Sequence, residues 1–565
     1  MSGPSRTHAA TGRDCRVRRN LSVPMRDGVR LATTVYLPLD EGPFPAVLVR
    51  TAYNRSGLYD AFYPTHGLAL VVQDCRGRYE SEGDFAPFVH EASDGCDTIE
   101  WVGRQDWCNG KVGMYGDSYL AATQFYAAPQ ASRALRALNP RFMAGDPWKR
   151  AYYCDGAFSL ALTWSWLCFE CASRVSHAAG MPLLDVREVL RALPLISLDE
   201  RAGAGQVPHY RDYVQRSRYD AAWQALRVRD WCDRFEMPVL LIGGWYDNYA
   251  AETTANFVSL QRQAPTPELR RSHRMIIGPW THGIGCSPVL GELDFGEEAM
   301  RENDATHRWL ECLLHDGDPR EFQQAPVRIF VMGANLWRDE YEWPPARAHA
   351  VHYYLHAGGR LGLDRPQDGE AYDRYRYDPD TPAPTLGGNH SVGPYNPGLY
   401  DFVKPGPFDQ RPVEARADVL AYTSDALESD TEVTGPVTLR LYAASSARDT
   451  DFVGRLTDVY PDGRSITITE GVIRARFRDD VWGTPRLLEP GTVYAFTVDL
   501  QVTSNVFKKG HRIRVDITSS NFPLWDRNLN TGNDPATDTE MTVAEQTVYH
   551  DAARPSHVVL PVVGA

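Results

Sequence analysis

The chain has 565 residues, 43% of them apolar and 23% charged, which excludes a small binding module, a disordered chain and a fibrous repeat and leaves room for about two to four domains. Asp and Glu outnumber Lys and Arg by 73 to 59, a net charge of −14, so the basic footprint with which proteins hold nucleic-acid phosphates is missing. No run approaches the roughly 18–20 apolar residues that span a bilayer, and the opening MSGPSRTHAATGRDCRVRRN has charges without an apolar segment, so a soluble cytoplasmic protein that engages neither membrane nor nucleic acid is expected.

From Phe44 to Glu82 short β-rich apolar runs (PAVLVR, LALVVQD) alternate with polar, glycine-containing turns, the pattern of buried strands in a sheet covered by helices. Further strands are predicted at 111–116 (KVGMYG), 237–244 (MPVLLIGG), 274–280 (RMIIGPW) and 327–333 (VRIFVMG). Between Gly145 and Cys232 leucine, alanine, arginine and aromatic residues recur at helical spacing, as in FSLALTWSWLCFECASRV, which predicts a helical insertion that interrupts the sheet. Beyond Pro344 and Pro345, short strands divided by Gly, Pro and Asp turns (VTLRLYAAS, SITITEGVIRARF, VYAFTVDL, HRIRVDITSS) predict an all-β sandwich or jelly roll. The proline-rich stretch 381–407 is expected to be an ordered surface excursion. The ten cysteines all fall at or before Cys312 without small-domain spacing and read as reduced, buried thiols; Cys168 and Cys171 read as one helix face rather than a redox or zinc motif.

Chemistry concentrates at three strand ends. The run GMYGDSYLA (113–121) is predicted strand as far as Gly116-Asp117-Ser118, then a sharp turn, then helix. Such an elbow lifts the serine oxygen above the sheet and points the next amide N–H at a developing oxyanion, which makes Ser118 the candidate nucleophile, although Leu120 stands where the G-x-S-x-G pattern has its last glycine. A serine hydroxyl needs a base, and the base needs an orienting carboxylate. Asp247 and His282 follow MPVLLIGG and RMIIGPW, so both emerge at the C-terminal ends of predicted parallel strands, where open α/β sheets bind ligands. Taken singly, Asp247 reads as a helix cap and His282 as a loop histidine; their position, and the Ser…Asp…His order of α/β-hydrolases, point instead to a triad. The second oxyanion donor of that fold comes from the loop after an early strand. Here PAVLVRTAY ends at Tyr53, whose phenol is either that donor, with the Tyr119 N–H as its partner, or a packing aromatic. No H-E-x-x-H occurs, and neither metal nor cofactor is expected.

PMRDGVRLATTVYLP, VVQDCRGRYESEGDF, GMYGDSYLAATQ, GGWYDNY, GPWTHG, PVRIFVMGANLWRDEYEWP and SNVFKKGHRIRVDITSSNFPLWDRNLNTG, taken together from about Pro24 onward, resemble the cocaine esterase type of serine hydrolases. That group is related to X-prolyl dipeptidyl peptidases, α-amino acid ester hydrolases and glutaryl acylases. The resemblance implies an α/β-hydrolase domain from residues 1–144 and 233–346, a helical cap at 145–232, a C-terminal jelly-roll domain at 347–565, and a homodimer. It also implies that Ser118 is acylated, that His282 is general base and then acid, that Asp247 orients it, and that Tyr53 and Tyr119 form the oxyanion hole. Trp166 and Tyr249 correspond to aromatics of the substrate pocket, with Trp164 on an adjoining face; each is equally an ordinary core aromatic at helical spacing. The chain departs from the family in Ala121, where a glycine is usual, and in Asp117, which is expected to bond a turn amide. Asp74, Arg76, Arg78 and Glu80 are expected to form a structural ion-pair network, and residues 521–532 to fix a loop where the jelly roll meets the hydrolase domain. The implied reaction is hydrolysis of a small-molecule carboxylic ester; amide cleavage by an acylase or peptidase, acyl transfer, and a non-catalytic carbohydrate- or protein-binding jelly roll are the alternatives.

Overall fold

Aliphatic runs with every residue buried build the centre of the molecule: β3 (Phe44–Thr51, FPAVLVRT) and β4 (Ala69–Asp74, ALVVQD). Alternate side chains serve opposite faces, Ala46, Leu48, Ala69 and Val71 entering one apolar core and Val47, Val49, Leu70 and Val72 the other, as a sheet covered on both sides requires. The computed structural model describes residues 14–130, 132–176, 185–285, 287–367, 369, 372–392 and 398–564; Cys286 and residues 393–397 of the proline-rich stretch lie outside them.

The sheet is completed by β1 (Arg16–Pro24), β2 (Arg30–Leu37), β5 (Cys108–Asp117), β6 (Leu135–Arg141), β7 (Leu240–Gly244), β8 (Arg274–Gly278), β9 (Val327–Val331) and β10 (Leu336–Glu340). Its ten strands lie in the order β1-β2-β4-β3-β5-β6-β7-β8-β9-β10. The strands from β4 to β9 run parallel, whereas β1, β2 and β10 are antiparallel to their neighbours. This is the α/β-hydrolase arrangement. Strand β6 is absent from the sequence reading because Pro140 breaks its pattern; in place, Pro140 pairs with Gly116 of β5.

Between β6 and β7 lie the helices Leu160–Ser165, Val186–Arg191, Leu198–Arg201, Pro208–Gln215 and Ala221–Gln224. The predicted long helix at FSLALTWSWLCFECASRV is shorter than its periodicity suggests. It changes to a π-helical turn over Trp166–Glu170, closed by the Cys171 N–H on the Trp166 carbonyl at 3.0 Å. Cys168 and Cys171 are buried free thiols. The C-terminal unit is all β, with antiparallel strands such as Thr431–Ser445 against Tyr494–Phe507 and Asp451–Val459 against Ser465–Arg474, and forms the jelly-roll domain. Among the described residues no helix is long and apolar enough to cross a membrane.

Two connecting features differ from expectation, while the charges at 74–80 do enter an ion-pair network. The described part of 381–407 does not run over the surface: Ala383, Asn389, His390, Val392, Leu399 and Val403 are buried, and the Asn389 amide donates to the Trp245 carbonyl beside β7. The 521–532 segment meets the inserted helices rather than the sheet, since Phe158 and Asp526 exchange two bonds (2.7 and 2.8 Å) and the Ala161 N–H donates to the Pro523 carbonyl at 3.0 Å. The four charges at 74–80 pair with others rather than with one another. Asp74 and Glu80 both bind Arg55, Arg76 binds Asp94 and Asp27 at 2.7 Å each, and Arg78 donates to the carbonyls of Ala52 (2.9 Å) and Glu170 (2.6 Å), tying the end of β3 to the inserted helices.

Candidate active site

Strand β5 passes into helix Tyr119–Ala127 through Ser118, which is held at φ 56°, ψ −122°. For a residue with a Cβ this conformation costs about 1–3 kcal/mol and persists only where the surroundings enforce it. They do so here: the Ser118 N–H donates to the Arg141 carbonyl at 3.0 Å, and the Ser118 carbonyl accepts from Ala121 (2.9 Å) and Ala122 (3.1 Å). Gly116 is required two residues earlier, because a Cβ there would lie 2.3 Å from Cβ of Leu120. Tyr119 opens the helix, so its N–H has no carbonyl four residues back within that helix. Its ring is pinned from below: the hydroxyl donates to Glu91 at 2.7 Å and accepts from the Phe88 N–H at 3.1 Å, while Glu91 is ion-paired with the buried Arg50.

The loops after β7 and β8 are locked together by backbone bonds, Trp245 N–H to Gly278 O and Tyr246 N–H to Trp280 O, both 2.9 Å. Gly244 permits this approach, since a Cβ there would lie 2.3 Å from the Trp280 carbonyl oxygen. The result brings Asp247, fully buried, against His282, whose Nδ1 is 3.3 Å from each carboxylate oxygen. Burial draws the His282 pKa down, but the Asp247 charge and hydrogen bond, with a further contribution from Asp117, outweigh it, and the net shift is upward from 6.5. His282 is also faced edge-on by Phe142 (6.1 Å between ring centres) and Tyr249 (5.5 Å). Phe142 directly follows Arg141, whose carbonyl binds the Ser118 amide, so β6 links the elbow to the histidine.

Asp117 does not bond a turn amide. It pairs with the Arg141 guanidinium, which also donates to Thr306 at 2.8 Å and lies over the Tyr115 ring. Asp117 and Arg141 end paired strands, which brings the two charges side by side.

Tyr53 lies just beyond β3, and its hydroxyl accepts from Trp166 Nε1 at 2.9 Å. Trp166 packs against Tyr119 (5.8 Å), Phe88 (6.1 Å) and Tyr152 (6.1 Å), which joins the inserted helices to the elbow. Trp164 stands apart: it is wholly buried, its N–H bonds the Leu198 carbonyl at 3.2 Å, and its ring packs on Phe169. Arg141, Phe142 and Glu91 escaped the sequence reading; only the recognition of β6 would have put the first two at the site.

Among the described residues no group of three or more His, Cys, Asp or Glu side chains is arranged to hold a metal ion. His352 and His356, spaced four apart, lie on strand Ala348–His356 of the all-β unit, His352 stacked on His557 at 4.7 Å.

Residues 27–284 match the family model of the X-Pro dipeptidyl-peptidase (S15 family), and residues 321–559 that of the X-Pro dipeptidyl-peptidase C-terminal non-catalytic domain. Over 585 aligned residues, 97% of this chain and 98% of the relative, the chain is 35% identical to a cocaine esterase of Rhodococcus sp. (strain MB1 Bresler). Among solved structures it resembles an α-amino acid ester hydrolase, at 28% identity and a TM-score of 0.88, covering 100% of this chain and 99% of the other. An aminopeptidase from a marine sediment archaeon, Thaumarchaeota archaeon, shares the fold at 24% identity and a TM-score of 0.86, with 100% and 99% coverage.

Proposed function

We propose, from the premise that this chain belongs to the cocaine esterase family of ester-hydrolysing serine hydrolases, that Ser118, His282 and Asp247 cleave a small-molecule carboxylic ester through an acyl-enzyme. The observations that carry the reading are the strained Ser118 at the strand–helix elbow and an imidazole held by a buried carboxylate, both following strands of the same sheet. His282 Nε2 takes the Ser118 proton as Oγ bonds the ester carbonyl carbon, and the oxyanion is stabilised by the Tyr53 hydroxyl and the Tyr119 N–H. Collapse expels the alcohol oxygen, which takes the proton from His282. Water, deprotonated by the same imidazole, then attacks the acyl carbonyl, and the acid leaves as Ser118 regains its proton. Asp247 keeps the imidazole in the tautomer with hydrogen on Nδ1 and stabilises the imidazolium that forms in each half.

The division into 1–144, 145–232, 233–346 and 347–565 is part of this reading, supported by the long helical insertion in the chain between the sheet neighbours β6 and β7 and by the start of the all-β strands at Ala348. Trp166 and Tyr249 are the proposed substrate aromatics; Trp164 is left out of the pocket. The nine described cysteines are free thiols, which supports a reducing, cytoplasmic setting. A homodimer belongs to the same reading, and light scattering at monomer mass would refute it. The match of residues 27–284 to a dipeptidyl-peptidase model favours, as a second reading, amide cleavage by the same machinery.

The test is nitrophenol release from 4-nitrophenyl esters of short and aromatic acids, compared with the anilides of the same acids, together with the intact mass of the protein. Turnover with an acyl adduct that vanishes in Ser118→Ala supports the esterase reading. Anilides cleaved faster than the esters would move it to amides, and silence on every substrate by a folded wild type would overturn both.

A further inference from the structure

Phe88, like Ser118, is a residue with a Cβ held in the left-handed region, at φ 68°. Strain of this kind persists where neighbours enforce it, and it gathers at working sites. Tyr119 joins the two strained residues. It follows Ser118 in the chain, and its hydroxyl accepts from the Phe88 N–H at 3.1 Å. The Phe88 ring then lies against the Tyr119 ring (5.1 Å between centres, planes 29° apart) and against Trp166 (6.1 Å, 22°), the residue that holds the Tyr53 hydroxyl. Both donors of the proposed oxyanion hole are therefore referred to one ring.

Glu91 anchors the arrangement. Its carboxylate oxygens are divided between two partners: Oε1 accepts from the Tyr119 hydroxyl at 2.7 Å and Oε2 from Arg50 at 2.5 Å. Arg50 lies on β3 and donates to Gln73 of β4 at 2.9 Å, and Gln73 accepts from Thr98 of the helix Glu91–Gly103 at 2.9 Å, which closes the circuit on the element that carries Glu91. Gly95 lets that helix approach helix Tyr119–Ala127 so closely that a Cβ there would lie 2.6 Å from Cβ of Ala127. The carboxylate is thus fixed relative to the elbow. Glu91 and Tyr119 are each 2% exposed and Arg50 is fully buried, so these charge-assisted bonds act away from water, where they are strongest. Burial, and after it the Glu91 charge, push the Tyr119 phenol well above its ordinary range, so its hydroxyl remains a donor at every assay pH. A buried ion pair adds little net stability over apolar side chains of the same shape. What this one supplies is a fixed point to which Tyr119 is tied.

We propose that Glu91 is a positioning residue of the oxyanion hole: through the Tyr119 hydroxyl it sets the direction of the Tyr119 N–H, and the Phe88 ring couples that donor to the Trp166–Tyr53 arm. The inference rests on the esterase reading above. A displacement of about 1 Å at a reacting centre costs up to about a hundredfold in rate, so the loss of this tie should be read in turnover.

The test compares Tyr119→Phe, Glu91→Gln and the double variant with wild type. The measurements are kcat/KM for 4-nitrophenyl acetate as a function of pH, per site counted by complete labelling of Ser118 with a fluorophosphonate, and the thermal melt. Tyr119→Phe removes the tie and leaves the Glu91–Arg50 pair in place. In Glu91→Gln the single amide oxygen is contested by Arg50 and Tyr119. The expected result is a loss of about tenfold to a hundredfold per site in each single variant. The double variant should lose no more than the worse of the two, because both substitutions cut the same link. The acid limb should stay where it is in all three, since His282 is untouched. A Tyr119→Phe rate per site within twofold of wild type would overturn the proposal and leave the network a purely structural one, whatever happens to the melt. Losses that multiply in the double variant, or an acid limb that moves in Glu91→Gln, would show that Glu91 acts by another route and overturn it equally. If Glu91→Gln fails to fold, Tyr119→Phe still decides. Absence of turnover by folded wild type would instead strike the esterase reading, and the positioning role with it.

Discussion

Asp247 and His282 stand 35 residues apart in the chain, yet Nδ1 of the imidazole lies 3.3 Å from both oxygens of the fully buried carboxylate. A charge so deprived of water is tolerated because it is paired, and the pairing acts back on the imidazole. Burial disfavours the imidazolium, the Asp247 charge and hydrogen bond favour it, Asp117 adds to them, and the balance lies above 6.5.

Only the neutral imidazole can accept the Ser118 proton, so kcat/KM should fall on the acid side with an apparent pKa above 6.5. A pH–rate profile between about pH 5 and 9 with 4-nitrophenyl acetate measures it. In Asp247→Asn the imidazolium loses its main support, so the limb moves to lower pH. The plateau should drop by about 10³–10⁴-fold, because the amide no longer enforces the productive tautomer. An unchanged plateau would remove Asp247 from the mechanism.

Asp117 acts on the same limb from the other side of the elbow. Its carboxylate pairs with Arg141 and is 40% exposed, so its influence on His282 is screened by solvent and salt. Asp117→Asn should move the acid limb to lower pH by less than Asp247→Asn does, and the difference from wild type should shrink as salt is added. A limb that moves up, or a difference insensitive to salt, would show that Asp117 works through the backbone of the turn instead.

Tyr53 and Trp166 should separate by magnitude. Tyr53→Phe deletes the proposed oxyanion donor and is expected to cost about 10²–10³ in kcat. Trp166→Phe keeps an aromatic ring but removes the N–H that holds the phenol oxygen, so the donor survives less well placed, at a loss of about tenfold. If Trp166→Phe costs as much as Tyr53→Phe, the indole itself contacts the reacting atoms.

Much of this architecture was legible in the sequence because buried parallel strands write themselves as continuous apolar runs, and because Ser118, Asp247 and His282 all lie just past such runs. What stayed hidden depended on contacts between distant segments. Pro140 disguises β6, and with it Arg141 and Phe142, so the sequence points Asp117 to a local amide whereas its partner ends the adjacent strand. The proline-rich 381–407 reads as surface, yet Asn389 bonds the loop that carries Asp247. Likewise 521–532 announces a fixed loop without naming its partner, and Phe158 and Ala161 become visible as that partner only in three dimensions.

The elbow itself gives the last prediction, through two substitutions in neighbouring turns of chain that should behave oppositely. Gly116→Ala places a methyl 2.3 Å from Cβ of Leu120 at φ +153°, so the strand–helix turn must open. The expected cost is about 1–3 kcal/mol of stability together with loss of acyl adduct, since Ser118 moves with the turn. Ala121 is buried in the first turn of helix Tyr119–Ala127. Ala121→Gly leaves the turn unobstructed and costs only helix propensity, about 0.5–1 kcal/mol, with adduct formation retained. Thermal melts read beside intact mass after ester addition distinguish the two. Loss of adduct in Ala121→Gly at full stability would mean that the Ala121 methyl, and not only the turn, positions the nucleophile.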